Sequence, residues 1–270
     1  MSDITISIES GVRFGFGANW IKFLSVVNQQ RVSMAEHSLK RMLDVQDLKG
    51  KTFVDVGCGS GLFSLTARRL GARVHSFDYD QKSVACAHEL KRLYCPLDTE
   101  WNNTIGSVLD TGYLQSLGQF DVVYSWGVLH HTGAMWEAMD NIQVLVKPGG
   151  KLALAIYNDQ GWRSDYWKWV KKAYNKSPAL SFIVMLIHMP YLIAVRWVVR
   201  VLTRRRYIER GMSLWYDMID WLGGHPFEVA KPEEVHAFYK SKGFVLSQFK
   251  TCGGRHGCNE FLFVKREFGS

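Results

Sequence analysis

Two groups of residues in this 270-residue chain have the types and spacing to do chemistry. The first is the stretch FVDVGCGSGLFS at 53–64, where Asp55 precedes Gly57, Gly59 and Gly61, with Cys58 between the first two glycines. A strand running into glycines two apart lets a ligand lie close to the backbone, because no Cβ intervenes. The spacing is G-x-G-x-G. A dinucleotide loop is G-x-G-x-x-G, and position 62, where its last glycine would fall, is Leu. Asp55 points the same way, since a carboxylate beside a pyrophosphate repels it. A cationic ligand without phosphate suits this carboxylate. The second group is His130 and His131, with His256 in the late loop CGGRHGC. A histidine near neutral pH can take a proton from a hydroxyl; it can equally cap a helix or fill space. Cys252, His256 and Cys258 fit no zinc-ligand spacing, so no metal is expected.

These residues need elements to hold them. Val32, Ala35, Leu39, Met42 and Leu43 recur at helical spacing and predict a helix over 30–46. Strands are expected at 52–56, 73–78, 104–110, 120–126 and 151–157, with helices at 62–70, 81–94 and 134–146 and a turn at KPGG, 147–150. After about seventy residues the pattern resumes with a helix over 232–243 and strands FVLSQFKT and NEFLFVKR, joined closely enough to be antiparallel. Alternating strands and helices predict a Rossmann-like α/β fold. Its seven-stranded, mostly parallel sheet ends in an antiparallel hairpin and carries a helical insertion before the last helix. The organisation expected is 1–49 as an N-terminal cap, 50–158 as the core that binds the cationic ligand, 159–231 as the helical basic insertion and 232–270 as completion of the sheet.

S-adenosyl-L-methionine, with a sulfonium and an ammonium, is a cationic nucleoside of the kind Asp55 would accept. DVGCGSG, followed by Asp78 at the end of the next strand and the KPGG turn, resembles the class I S-adenosylmethionine-dependent methyltransferases. The resemblance implies that Asp55 serves the methionine ammonium and that Gly57, Cys58, Gly59 and Gly61 line the methionine and ribose. Asp78, with Tyr79 beside it, would bind the ribose hydroxyls, and Asp110 the adenine amino group. Ser125 and Trp126 would face the donor methyl and the acceptor. The motif order and VLHHTGAMWEAM resemble, more narrowly, the ubiquinone-biosynthesis type of small-molecule O-methyltransferase. That implies a hydroxyl acceptor, with His130, His131 or His256 as base. SWGVLHHT lacks the acid-Pro-Pro-aromatic run of enzymes that methylate base amines, and the Pro-Cys pair of cytosine C5 enzymes is absent, so nucleic acid is disfavoured.

The bulk composition is 47% apolar and 21% charged, with five scattered cysteines and no apolar leader at the start. It predicts a soluble cytoplasmic chain. The net charge of +8 is local: residues 160–212 hold eleven Lys/Arg, two acids and nine aromatics. Within them, 177–195 runs nineteen positions without a charge, and Arg196, Arg200 and Arg204 follow at four-residue spacing. A single membrane span is excluded because the strands before and after must share one sheet. The stretch 177–206 is then a lid, a homodimer contact, or a peripheral contact with an anionic membrane at its inner face. A basic RNA surface, making the chain an RNA methyltransferase, and a non-catalytic donor-binding scaffold remain as alternatives. Trp20, Arg210, Trp215, Tyr216 and His225, with Phe14 and Asn19, are expected to wall the site of a small or lipid-like acceptor.

Overall fold

The computed structural model describes residues 14–203, 214–253 and 257–267; inside its helices, the side chains at 18, 196, 199, 200, 202, 203 and 214–217 are outside that description. Seven strands form one sheet: β1 (Thr52–Val56), β2 (Arg73–Asp78), β3 (Trp101–Ile105), β4 (Phe120–Trp126), β5 (Val146–Tyr157), β6 (Phe244–Lys250) and β7 (Cys258–Lys265). Their order across the sheet is β3-β2-β1-β4-β5-β7-β6. The first five strands are parallel, and β7 runs antiparallel to both β5 and β6. The order reverses between β1 and β4, so the carboxyl ends of those strands open a crevice, where ligands of such sheets bind.

Both faces of the sheet are covered, which is why its strands are apolar almost throughout. On one face Phe53, Tyr124, Ala153 and Leu262 pack with α2 (Gln29–Leu43), α3 (Leu62–Arg69) and α4 (Gln81–Tyr94). On the other, Val54, Val123, Leu152 and Phe263 pack with α5 (Thr111–Leu117), α6 (Met135–Ile142) and α10 (Pro232–Ser241). Local signals set the helix starts. Asn28 caps α2 by accepting from the Arg31 amide at 3.0 Å, and Asp80 caps α4 through the Lys82 amide at 2.9 Å. Pro232 opens α10, and Glu234 reaches back to the Lys231 amide at 2.8 Å.

Five segments differ from the sequence-based expectation. β3 lies at Trp101–Ile105, earlier than 104–110, because Trp101 pairs with Val74 and its fully buried indole donates to Ser76 Oγ at 2.9 Å. Ser107 and Asp110 then form a turn and a helix cap, starting α5, which was not anticipated. α6 tightens into a 3-10 turn over Gln143–Leu145. The KPGG run lies within β5, opposite an irregularity in its pairing with β4. Also unanticipated is α1 (Phe16–Leu24), which packs between α4 and the insertion.

The insertion itself is α7 (Trp162–Lys176), α8 (Pro178–Thr203) and α9 (Leu214–Gly223). It has its own small core of Trp167, Val170, Val184, Met189, Leu192 and Leu222. The chain after α9 returns across the carboxyl ends of the sheet. There the Glu228 amide donates to the His130 carbonyl at 3.0 Å, and the Ala230 amide to that of Tyr157 at 3.0 Å.

Candidate active site

The glycine bend sits at the mouth of the crevice. Gly57 (φ +74°) and Gly59 (φ +53°) adopt the left-handed conformation that side chains disfavour. The amides of Gly57 and Cys58 donate to the Phe77 carbonyl at 2.9 and 3.0 Å, tying the bend to β2. A Cβ on Gly57 would collide with the Val128 side chain, and one on Gly59 would stand 2.9 Å from the Trp20 indole. Trp20, expected in the acceptor wall, therefore roofs the donor bend. α1 is anchored there by the Gly17 amide, which donates to Asp80 Oδ2 at 2.9 Å.

Two carboxylates flank the bend. Asp55 is buried and accepts from Ser64 Oγ at 2.5 Å. Burial, opposed by that hydrogen bond and reinforced by Asp78, pushes its pKa up to about 7. Asp78 accepts the Gly59 amide at 3.0 Å on one oxygen and the Asp80 amide at 2.9 Å on the other. Burial still raises it to about 6, despite those amides. A lone pair remains on this carboxylate for a ligand hydroxyl. Cys58 is a neutral thiol at physiological pH, pushed up by burial and then by Asp78 and Asp55, and so lines the bend without being a nucleophile.

Farther out, Tyr79 is 60% exposed beside Asp78. Asp110 is exposed at the start of α5, with Oδ1 accepting the Tyr113 amide at 2.9 Å. Ser125 corrects the expectation: its wholly buried hydroxyl donates to the Val56 carbonyl at 3.2 Å, stitching β4 to β1, so it does not face an acceptor. Trp126, half-buried at the end of β4, and Val128 line the crevice there.

His130 and His131 part company on a single 3-10 turn, Leu129–His131. His130 is fully buried against Tyr157, ring centroids 3.9 Å apart, and its Nδ1 accepts the Tyr157 amide at 3.3 Å. The neutral ring then carries its proton on Nε2 and has no lone pair to offer, so His130 is withdrawn as a base. His131 has the opposite tautomer. Its Nδ1 donates to the Pro226 carbonyl at 2.6 Å, which leaves the lone pair on Nε2. Burial lowers its pKa to about 3, with Lys171 and His225 adding to the effect of burial, so it is neutral at any physiological pH. Phe16 from α1 (centroids 4.9 Å apart) and Gly224 enclose the His131 ring.

Lys171 in α7 was missed by sequence reasoning. It is fully buried, hydrogen-bonded to the Trp221 carbonyl, with Nζ 4.4 Å from the Trp221 ring centroid, 4.8 Å from Phe227 and 5.9 Å from Tyr157. Burial, opposed by Asp220, lowers its pKa to about 7. The available signal was its place in WKWVKKAY, one residue from Val170 and four from Trp167 on an inward face. Asp220 also accepts from Asn19 Nδ2 at 2.7 Å, and the Phe14 amide donates to the His225 carbonyl at 3.1 Å. The N-terminal and insertion residues expected to share a wall thus do meet. Trp215 and Tyr216 lie in α9 with side chains outside the description, and Arg210 and His256 lie outside the described residues. Among the described residues, no cluster of His, Cys, Asp and Glu is arranged to hold a metal ion.

The bend fits S-adenosylmethionine and opposes a phosphorylated cofactor. Two carboxylates with raised pKa values, one buried and one half-buried, gain from a neighbouring cation and lose from a phosphate. A family model described as a methyltransferase domain matches residues 27–184, more than half of the chain. The chain belongs to that family. It is a class I S-adenosylmethionine-dependent methyltransferase with the Rossmann-like sheet expected of one. Its methyl donor is S-adenosylmethionine. The methyltransferase is 27% identical over 153 residues to ribosomal protein L11 methyltransferase of Methylococcus capsulatus, a match covering 56% of this chain and 44% of that one. It is 36% identical over 112 residues to ubiquinone biosynthesis O-methyltransferase of Xanthomonas oryzae pv. oryzae, covering 42% and 45%. The chain spans about half the length of the curated relatives it matches. Magnesium protoporphyrin IX methyltransferase from Synechocystis, solved with bound SAH, shares the fold at a TM-score of 0.55 and 15% identity, covering 92% of this chain and 93% of that one.

Proposed function

We propose that this methyltransferase transfers the donor methyl to a hydroxyl of a small or lipid-like acceptor, held between the donor bend and His131. The observation that carries the reading is the tautomer of His131: a neutral imidazole with its Nδ1 proton fixed on Pro226 and its Nε2 lone pair free to accept. S-adenosylmethionine supplies an activated methyl on a cationic sulfonium. Asp55 and Asp78 hold and orient it, and Trp20 and Phe16 exclude water from the crevice. The acceptor oxygen donates its hydrogen bond to His131 Nε2, which turns an oxygen lone pair toward the methyl. As the C–O bond forms, the methyl–sulfur bond would break to leave neutral S-adenosylhomocysteine, and the acceptor oxygen would gain positive charge that makes its proton strongly acidic. Even a histidine with a depressed pKa can then take it. The similarity to a ubiquinone biosynthesis O-methyltransferase supports a hydroxyl acceptor.

The similarity to ribosomal protein L11 methyltransferases favours a second reading, a protein acceptor. Donor labelled with carbon-13 on its methyl, incubated with the enzyme and a cell extract, separates the two. The first reading expects the label in the small-molecule or lipid fraction with the carbon shift of a methyl ether. Label confined to protein or RNA overturns it.

A further inference from the structure

We infer that the outer face of α8, together with the aromatic and basic face of α7, docks this enzyme on the surface of an anionic lipid bilayer. Pro178–Val195 has the length and apolarity of a membrane span, yet only 22% of it is buried. The exposed side is not scattered. Ile183, Leu186, Ile187, Trp197, Val198 and Val201 recur at helical spacing along one face, with Leu186 66% and Trp197 65% exposed. The opposite face, Val184, His188, Met189 and Leu192, is buried on the insertion's core. His188 Nε2 and Tyr166 Oη, 2.8 Å apart, lock that face onto α7. An ordinary surface helix is polar outside and apolar inside; here both sides are apolar.

Crossing the bilayer is excluded, because α7 and α9, before and after α8, pack together on its inner side. What remains is a helix lying in the plane of the membrane, its outer face about 39 Å long at 1.5 Å per residue, in contact with acyl chains. Its surroundings match a headgroup layer. Trp162 and Trp169 are exposed on α7, 73% and 66%, beside the exposed Arg163, Lys168, Lys172 and Lys176. Residues 160–212 carry eleven basic residues against two acids. That charge also selects among occupants. A second copy would bring an equally positive surface against this one, and an RNA would leave the aliphatic face in water. An anionic bilayer satisfies both the charge and the apolar face. The inference does not depend on which acceptor is methylated.

Flotation of the full chain with vesicles tests it. Vesicles of phosphatidylcholine with about one-third phosphatidylglycerol should carry the protein upward at low salt, and phosphatidylcholine alone should carry far less. The double substitution Leu186→Glu, Ile187→Glu changes only exposed positions. It should lower co-flotation by roughly tenfold or more while leaving the circular dichroism and donor affinity unchanged. Wild-type protein that stays below the anionic vesicles overturns the inference, as does a double variant that floats like wild type. A wild-type dimer in sedimentation that the double variant dissociates would assign the face to a second copy, and equally overturns it.

Discussion

The donor bend and the helical insertion solve opposite problems. Around Asp55 and Asp78, negative charge largely withdrawn from water sits beside a bend whose loop amides are tied to the sheet, and burial holds both carboxylates above their ordinary range. In the insertion a buried positive charge, Lys171, sits among aromatic rings and lies below its ordinary range. The first would gain from a neighbouring cation. The second is already partnered by a carbonyl and ring faces, so it holds the insertion against His130, His131 and Tyr157.

Four measurements sharpen or break this contrast. Asp78→Ala should weaken S-adenosylmethionine binding by roughly 100-fold or more in calorimetry, since hydrogen bonds to a charged, half-buried group are lost. Unchanged affinity would remove the ribose assignment. His131→Ala should lower kcat about 100-fold with donor affinity intact. An equal loss in donor binding would instead make His131 part of the donor wall.

The third measurement uses pH. Asp55 and Asp78 are protonated below about 7 and about 6 in the free protein, whereas the donor's cation favours the ionised forms. Donor binding should therefore release protons and tighten by about tenfold between pH 5 and pH 8. Affinity independent of pH would place the cation elsewhere.

The smallest expected effect concerns Lys171. Its folded pKa, about 7, lies below the unfolded value of 10.5, so between those pH values the unfolded chain binds more protons. Stability should then rise with pH across that window. Lys171→Met, of similar length and without charge, should flatten the rise, as read by denaturant titrations at pH 7 and pH 9. A variant with an undiminished slope would show that Lys171 is not the titrating group.

The sequence by itself determined the donor half of this enzyme. Asp55, the glycines and Asp78 belong to consecutive strand-turn-helix units, where spacing along the chain and spacing in the fold are nearly the same thing. β1, β2 and β4 accordingly lie where periodicity put them. β3 slipped because a buried Trp101 outweighed the β-branched run that follows it. The surroundings of the two histidines were decided only by tertiary structure. Two adjacent histidines look equivalent in a sequence, yet a carbonyl at Pro226 and an amide at Tyr157 give them opposite tautomers. Those partners lie 95 and 27 residues away respectively. Lys171 reads as one more surface charge until residues 221 and 227 fold over it. Polar groups take their function from what surrounds them, and those surroundings arrive from distant parts of the chain.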